Sequence, residues 1–224
     1  VRVPLVVRAP MGGHRGYGPT HSQSLEKLFL GVPGLKTIAI NSVIDPAELV
    51  KTAVMDDDPV LFIEHKLLYP RSMMEPGRGS LSEMMAEHTS GPYPAVILRT
   101  DQKADITIVT YGYNFELAAQ AAYELMMEQE IFSELVLFSQ LSPFHLAPLF
   151  ASLARTRKLL TVEEGTMTLG WGAEIIARTA EEMPGVEVRR IASRDLPIAN
   201  SRTMEDAILP SVADIVRAGE SLAS

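Results

Sequence analysis

Short apolar runs alternate with amphipathic stretches along almost the whole chain. The apolar runs predict strands over residues 5–9, 35–40, 60–64, 105–110, 135–138, 158–163 and 186–191. The stretches between them predict helices over residues 24–30, 45–55, 114–129, 144–156, 171–182 and 204–221. Because strands alternate with helices at the spacing of crossover connections, the pattern predicts an α/β fold with three-layer, mostly parallel-sheet domains.

One stretch breaks this alternation. Residues 71–103 are rich in Gly, Pro, Ser and Met and have no sustained hydrophobic period, which is typical of a linker or a long excursion between domains. We therefore expect two α/β units, over residues 1–70 and 104–224. Val1 stands directly in an interior-type strand, so we expect the first unit to be incomplete on its N-terminal side and the chain to be a piece of a longer one.

Composition argues against several classes of function. The chain has 224 residues, of which 46% are hydrophobic and 21% charged, as in an ordinary globular protein. It has no cysteine, which excludes disulfides and thiolate metal sites. The net charge is −8 without any basic stripe, so we expect no nucleic-acid partner, and no apolar run approaches the ~20 residues of a membrane span. We expect a location in the cytoplasm or, in a eukaryote, in an organelle matrix.

The loop GGHRGYGPTHSQS, residues 12–24, lies between the first predicted strand and helix and combines four glycines with two histidines. Glycine permits positive φ, but this spacing is not the G-x-G-x-x-G of dinucleotide-binding folds. Ser22 and Ser24 are expected to cap the following helix, and the lack of a G-x-S-x-G motif argues against a hydrolase triad. His21 suits proton transfer near neutral pH or, alternatively, helix capping, and together with His14 it lacks a third ligand for a metal.

Several motifs occur in an order that resembles one enzyme family. In the first unit these are RAPMGG, GYGPTHSQS, PGLK, DDDPV and EHKLLY. In the second unit these are ADITIVTYG, VEEGTMTLGWGAEI and RDLPIANSRTMED. Together they resemble, over essentially the whole chain, the beta subunits of thiamine-diphosphate-dependent 2-oxo acid dehydrogenases of the pyruvate, branched-chain and acetoin type.

The resemblance implies a fold and an activity. Residues 1–70 would be the C-terminal part of a transketolase-like pyrimidine-binding domain, and residues 104–224 a transketolase C-terminal domain. The activity would be oxidative decarboxylation of a 2-oxo acid with acyl transfer to a lipoyl carrier.

The resemblance also implies cofactors and partners. Thiamine diphosphate with magnesium would be held mainly by an alpha subunit and by an N-terminal third of the beta chain that carries the cofactor-activating glutamate. This sequence lacks that third, so the isolated chain is expected to be inactive. The partners implied are the alpha subunit, a second beta chain and the lipoyl acyltransferase core.

The resemblance assigns roles within the glycine-rich loop. His21 would be the catalytic residue that faces the thiazolium and the substrate. The residues expected beside cofactor or substrate are Gly13, Gly16, Tyr17, Gly18 and Gln23. His14 departs from the glycine common in the family, and we expect a solvated loop residue there, with a place at the substrate entrance as the alternative.

A monovalent-cation site is implied as well. Some relatives hold potassium near the turn before the third predicted strand. The matching groups here are the carbonyl oxygens of Leu5 and Ala53 and the side chains of Asp56 and Asp58. Hard oxygen ligands suit such an ion. The alternative is that the acidic run is simply a solvated helix end.

Other polar positions are expected to be structural. Residues 64–66 are expected at a subunit interface, and Trp171 is expected to anchor packing beside the strand end at 163–165. The helix that begins near Trp171 could hold an anion at its N-terminus.

Two other functions stay open. A transketolase or deoxyxylulose-phosphate synthase relative would need basic residues around the pocket to bind a sugar phosphate, and Arg15 is the nearby candidate. A non-catalytic dimerisation or docking module is the second alternative, because the cofactor-activating glutamate is not in the chain. The sequence does not specify which 2-oxo acid would be the substrate.

Overall fold

The computed structural model describes residues 2–224 of the chain. Its strands are β1 (Val6–Met11), β2 (Lys36–Ala39), β3 (Val60–His65), β4 (Met85–His88), β5 (Ala95–Arg99), β6 (Ile106–Tyr111), β7 (Ser133–Phe138), β8 (Gln140–Ser142), β9 (Lys158–Thr166) and β10 (Glu187–Ser193). Its helices are α1 (Pro46–Val54), α2 (Asn114–Gln129), α3 (Ala147–Thr156), α4 (Trp171–Glu182), α5 (Arg202–Asp206) and α6 (Val212–Ala223). Short 3-10 turns lie at Glu26–Phe29, Lys66–Leu68 and Gly79–Leu81.

The first sheet has four strands in the order β1-β3-β2-β8. β1, β3 and β2 are parallel, as the alternating pattern predicts, and β8 pairs with β2 in the antiparallel direction. β3 is buried along its whole length because it lies between two neighbours, whereas β1 forms an edge and leaves Val7 exposed. Since β8 directly follows β7 of the other sheet, it joins the two units.

The second sheet has six strands in the order β10-β9-β6-β7-β5-β4. The first four strands are parallel to one another. β5 pairs with β7 in the antiparallel direction, and β4 pairs with β5 in the antiparallel direction. Helices α2 and α6 pack into one buried cluster, and α3 and α4 into another, so both faces of the sheet are covered. The architecture is therefore the predicted α/β fold with three layers.

The two sheets share their hydrophobic core. One buried cluster joins Phe62 of the first sheet to Ile108 and Phe115 of the second unit. The other joins Ile63 to Trp171, whose indole meets Tyr111 edge-on at 5.1 Å between ring centroids. Each fully buried aromatic or aliphatic side chain of this kind contributes roughly 1.5–3 kcal/mol, so the shared core holds the two units in one arrangement.

The structure differs from the predicted elements at three places. Residues 71–103, for which the sequence predicts a linker, contain β4 and β5 of the second sheet. The helix predicted over 204–221 is two helices, α5 and α6, because Pro210 lacks the amide hydrogen needed to continue the first. The helix predicted over 24–30 is reduced to the 3-10 turn Glu26–Phe29.

Candidate functional site

The glycine-rich loop lies beyond the carboxyl ends of the parallel strands β1 and β3, where ligands collect in open α/β sheets. Only glycine fits at position 12, because the His65 side chain packs directly against it. Gly12 has φ 101°, and a Cβ atom there would lie 2.1 Å from Nε2 of His65. Gly16 and Gly18 also have positive φ and lie against Asn200 of the second unit. The loop is therefore fitted closely against both units.

Glu164, at the end of β9, holds both ends of this loop. Its carboxylate accepts hydrogen bonds from the Gly13 amide (2.8 Å) and the Ser24 hydroxyl (2.7 Å). Its other oxygen lies 2.9 Å from Nε2 of His65, whose ring stacks on Tyr113. Burial alone would raise the pKa of Glu164, but the interaction with His65 and the hydrogen bonds from the loop outweigh it and lower that pKa to about 2.

A second carboxylate of the C-terminal unit holds the middle of the loop. Glu205 of α5 is buried and accepts hydrogen bonds from the amides of Gly16 (2.9 Å) and Arg15 (3.4 Å). The next residue, Asp206, lies 3.8 Å from Nδ1 of His14. The loop conformation therefore depends on two acidic side chains that are far from it in sequence.

A cavity of about 570 Å³ opens between the loop and the ends of β1 and β3. Three of the predicted site residues, Tyr17, His21 and Gln23, line this cavity together. Its other walls are mostly apolar and include Met11, Phe29 and Ile63. The three predicted glycines, Gly13, Gly16 and Gly18, do not line the cavity. The second unit binds the backbone amides of Gly13 and Gly16.

Buried acids lie beside this cavity. Glu26 lines it, and burial raises the pKa of its carboxyl group. One Glu26 oxygen accepts a hydrogen bond from the Tyr111 hydroxyl, and the other has no partner among residues 2–224. Burial also raises the pKa of Glu163 to about 7, although the carboxylate accepts the amides of Trp171 (2.7 Å) and Gly172 (2.9 Å). The N-terminus of α4, expected as an anion site, is therefore occupied by the protein's own Glu163.

The serines and His14 differ from their predicted roles. The Ser24 hydroxyl binds Glu164, and the following 3-10 turn begins after Leu25 without a side-chain cap, so the capping prediction is wrong. Ser22 is buried, and its hydroxyl has no partner among residues 2–224. His14 is half-buried, with φ 61°, rather than a freely solvated residue.

The sequence did not identify Glu164, Glu205, Glu26 or Lys66 as residues of this site. Glu164 and Lys66 have a recognisable signal, since each stands at or just after the carboxyl end of a parallel strand. Glu205 and Glu26 reach the loop and the cavity only through packing of distant segments, for which one sequence carries no signal.

The predicted potassium ligands do not fit a bound ion. The ammonium group of Lys36 lies 2.7 Å from Asp56 and 3.1 Å from Asp58, so both carboxylates already share a cation of the protein. The carbonyl oxygen of Leu5 accepts the Val60 amide, and that of Ala53 accepts the Asp56 amide. The protein's own cation fills the role that potassium would have, because Lys36 extends into this turn from β2.

Within residues 2–224, no three His, Asp or Glu side chains are grouped so that they could hold a metal ion. In the same part of the chain, no helix has the length and apolar character needed to cross a membrane.

Two family models match successive parts of the chain. Residues 1–72 match the family "Transketolase, pyrimidine binding domain", and residues 95–215 match the family "Transketolase, C-terminal domain". A solved structure described as "Split gene transketolase, inactive beta4 tetramer" superposes with a TM-score of 0.72 over 99% of this chain and 68% of that one. Its sequence is 20% identical, so this likeness concerns the fold.

Curated relatives carry one common name. The chain is 36% identical to the mitochondrial pyruvate dehydrogenase E1 component subunit beta-1 of Arabidopsis thaliana, over 98% of this chain and 60% of that protein. It is 30% identical to the subunit beta of Saccharomyces cerevisiae, over 98% of this chain and 59% of that protein. It is also 30% identical to the subunit beta of Rickettsia conorii, over 97% and 64%. The chain thus spans about 60% of the length of these relatives.

Proposed function

We propose that this chain, which belongs to the transketolase family and carries its pyrimidine-binding and C-terminal domains in that order, is the beta-subunit part of a thiamine-diphosphate-dependent 2-oxo acid dehydrogenase. The relatives that share nearly its whole length are pyruvate dehydrogenase E1 beta subunits. The reaction is then oxidative decarboxylation of a 2-oxo acid with transfer of the acyl group to a lipoyl carrier.

One observation carries the proposal most directly. Tyr17, His21 and Gln23 line one cavity, and residues of the second unit hold the loop that bears them. The cavity suits the ring system of thiamine, because its walls are mostly apolar and the buried Glu26 contributes a carboxyl oxygen without a partner among residues 2–224. When bound, thiamine diphosphate supplies the nucleophilic carbon that cleaves a bond next to a carbonyl group.

The chain's own residues then have distinct tasks. His21, exposed at the cavity, orients the substrate and moves a proton at the oxygen or sulfur atoms that change charge during transfer. Tyr17 and Gln23 border the substrate, and Phe29 and Ile63 exclude water from the far side. Glu164 and Glu205 act through the loop backbone and fix the position of these side chains.

The remaining parts of the site come from elsewhere in the assembly. We propose that an alpha subunit holds the diphosphate and its magnesium, and that a second beta chain and a lipoyl acyltransferase core complete the complex. We propose the cytoplasm or an organelle matrix as the location, and several of the relatives are mitochondrial by name.

The test uses the natural polypeptide that contains these 224 residues, purified with the alpha subunit of the same organism. We expect thiamine-diphosphate-dependent release of carbon dioxide from a 2-oxo acid. His21→Ala should abolish acyl transfer to lipoamide and leave the melting temperature unchanged. The control is His88→Ala, an exposed histidine of β4 outside the cavity, which should behave like the wild type. Acyl transfer that is unchanged in His21→Ala would contradict the role of His21, and no release from any 2-oxo acid would contradict the activity.

A further inference from the structure

Two cations lie close to the ring of Tyr17, which lines the cavity. Lys66 begins the turn after β3 and lines the cavity, with its ammonium group 5.7 Å from the centre of the Tyr17 ring. The Arg15 guanidinium lies 5.3 Å from the same centre and donates a hydrogen bond to the Tyr17 hydroxyl at 3.1 Å. Both therefore belong to the immediate surroundings of a residue that borders the cavity.

Neither cation pairs with a carboxylate within residues 2–224. The one acceptor of the Lys66 ammonium group there is the backbone carbonyl of His21, and that of the Arg15 guanidinium is the Tyr17 hydroxyl. The nearest acidic groups, Glu164 and Glu205, are already bound to loop amides. Burial and the neighbouring Arg15 charge lower the pKa of Lys66, which reflects a cation that is partly desolvated and repelled by another.

Two other cations of the first unit pair with carboxylates, since Arg8 lies 2.5 Å from Glu64 and Lys36 lies between Asp56 and Asp58. Lys27 also lacks a carboxylate partner within residues 2–224, but its ammonium group is bound by Thr166 and Thr168, away from the cavity. What distinguishes Arg15 and Lys66 is that both lie against one ring, that of Tyr17, at the edge of an apolar cavity. An anion bound between them would offset both the desolvation of Lys66 and its repulsion from Arg15.

We propose that Arg15 and Lys66 bind the anionic head group of the substrate, while its carbon chain enters the cavity. The head group is the carboxylate of a 2-oxo acid or the phosphate of a sugar phosphate, since either accepts charge-assisted hydrogen bonds from these donors. This inference rests on the proposed function for the identity of the cavity as a substrate site, but the residue assignment is independent of the reaction.

The experiment measures binding and turnover with the natural polypeptide and its alpha subunit. The probes are pyruvate, fructose 6-phosphate and inorganic phosphate, each titrated by calorimetry against the wild type, Lys66→Met, Arg15→Met and the conservative Lys66→Arg. The matched control is Lys103→Met, an exposed lysine of a loop in the second unit. Melting temperatures verify that all variants are folded.

We expect Lys66→Met and Arg15→Met each to weaken binding of the preferred organic anion about tenfold or more, and to raise KM by a similar factor with little change in kcat. Lys66→Arg should restore most of the affinity, and Lys103→Met should match the wild type. If pyruvate binds more tightly than the other probes, the subsite binds a carboxylate. If fructose 6-phosphate binds more tightly, the subsite binds a sugar phosphate.

The inference and the proposed function fail in different ways. Turnover of a 2-oxo acid with unchanged KM in Lys66→Met and Arg15→Met would overturn the cation pair and leave the function standing. Lysine-dependent binding of fructose 6-phosphate without any turnover of 2-oxo acids would overturn the function and leave the pair standing. Binding of inorganic phosphate alone, or of no probe, would overturn the pair, because a substrate subsite must select an organic anion.

Discussion

Replacement of Glu164 by glutamine is the sharpest test of how the site is held together. Glutamine keeps the size of the side chain but removes the charge that interacts with His65, Gly13 and Ser24. The Glu164 pKa is about 2 in the folded protein, against an ordinary value of 4.5. That difference corresponds to about 3 kcal/mol of stability at neutral pH.

The loss of a buried acceptor gives a similar magnitude, because each hydrogen-bond donor left buried without a partner costs roughly 1–3 kcal/mol. For a chain of this size, 1 kcal/mol changes the melting temperature by roughly 2–4 °C, so we expect Glu164→Gln to melt about 10 °C lower. The direction in which pH changes the contribution of Glu164 to stability follows from the same pKa. Because the folded-state pKa is depressed, the contribution is complete above the ordinary carboxyl pKa and is lost as the pH falls from 4.5 towards 2.

Two measurements on the natural polypeptide test this prediction. Thermal unfolding should show the full difference between wild type and variant at pH 7 and roughly half of it at pH 3, since a carboxyl group with a pKa of about 2 is still largely ionised in the folded protein at pH 3. Hydrogen exchange of the Gly13 amide should become faster in the variant. Glu128→Gln, on an exposed position of α2, is the control. If Glu164→Gln lost no more stability at pH 7 than Glu128→Gln, the carboxylate would not hold the loop as described.

The remaining predictions concern other contacts of the structure. Gly12→Ala should destabilise the protein by several kcal/mol, seen as a lower denaturation midpoint, because its Cβ would clash with His65 and φ is 101°. Since the Glu163 pKa is raised to about 7, its protonated form contributes stability at pH 5 that is lost as the pH rises through 7. The denaturation midpoint should therefore fall between pH 5 and pH 8, and Glu163→Gln should remove this fall. An unchanged fall in the variant would contradict the raised pKa. Because the Lys36 ammonium group already pairs with Asp56 and Asp58, exchange of potassium for choline should leave the melting temperature unchanged, whereas Lys36→Met should lower it.

The sequence predicted the parts of the fold that depend on local pattern. The strand β3 follows from its apolar run, and helix α1 follows from Asp45, which accepts the Ala47 amide, and from Pro46 in the first turn. The β4–β5 pair was missed because its apolar residues are flanked by glycines and prolines that suggest a linker. The hairpin joins the sheet because β5 pairs with the distant β7, as Ala95 does with Phe138, and a local period does not reveal such a pairing.

The candidate site was predicted in part, and the reason is physical. His21, Tyr17 and Gln23 lie in one continuous motif, so their shared cavity follows from the loop itself. Glu205 approaches the loop only after α5 has packed against it, and no feature of its neighbouring sequence specifies that contact. Lys66 stood beside a recognised motif, but its lack of a carboxylate partner could be seen only in three dimensions.

The attachment of the loop by Glu164 and Glu205 also determines when it can form during synthesis. The acceptor of the Gly13 amide lies 151 residues later in the chain, and that of the Gly16 amide 189 residues later. At about 5–20 residues per second, the ribosome needs roughly 10–40 s to produce the second of these partners after the glycine itself has been added. Until Glu164 has been made the nascent loop has neither carboxylate to bind, and until Glu205 has been made it has only one of the two. A chimera that joins this loop to a foreign C-terminal domain must therefore supply both carboxylates.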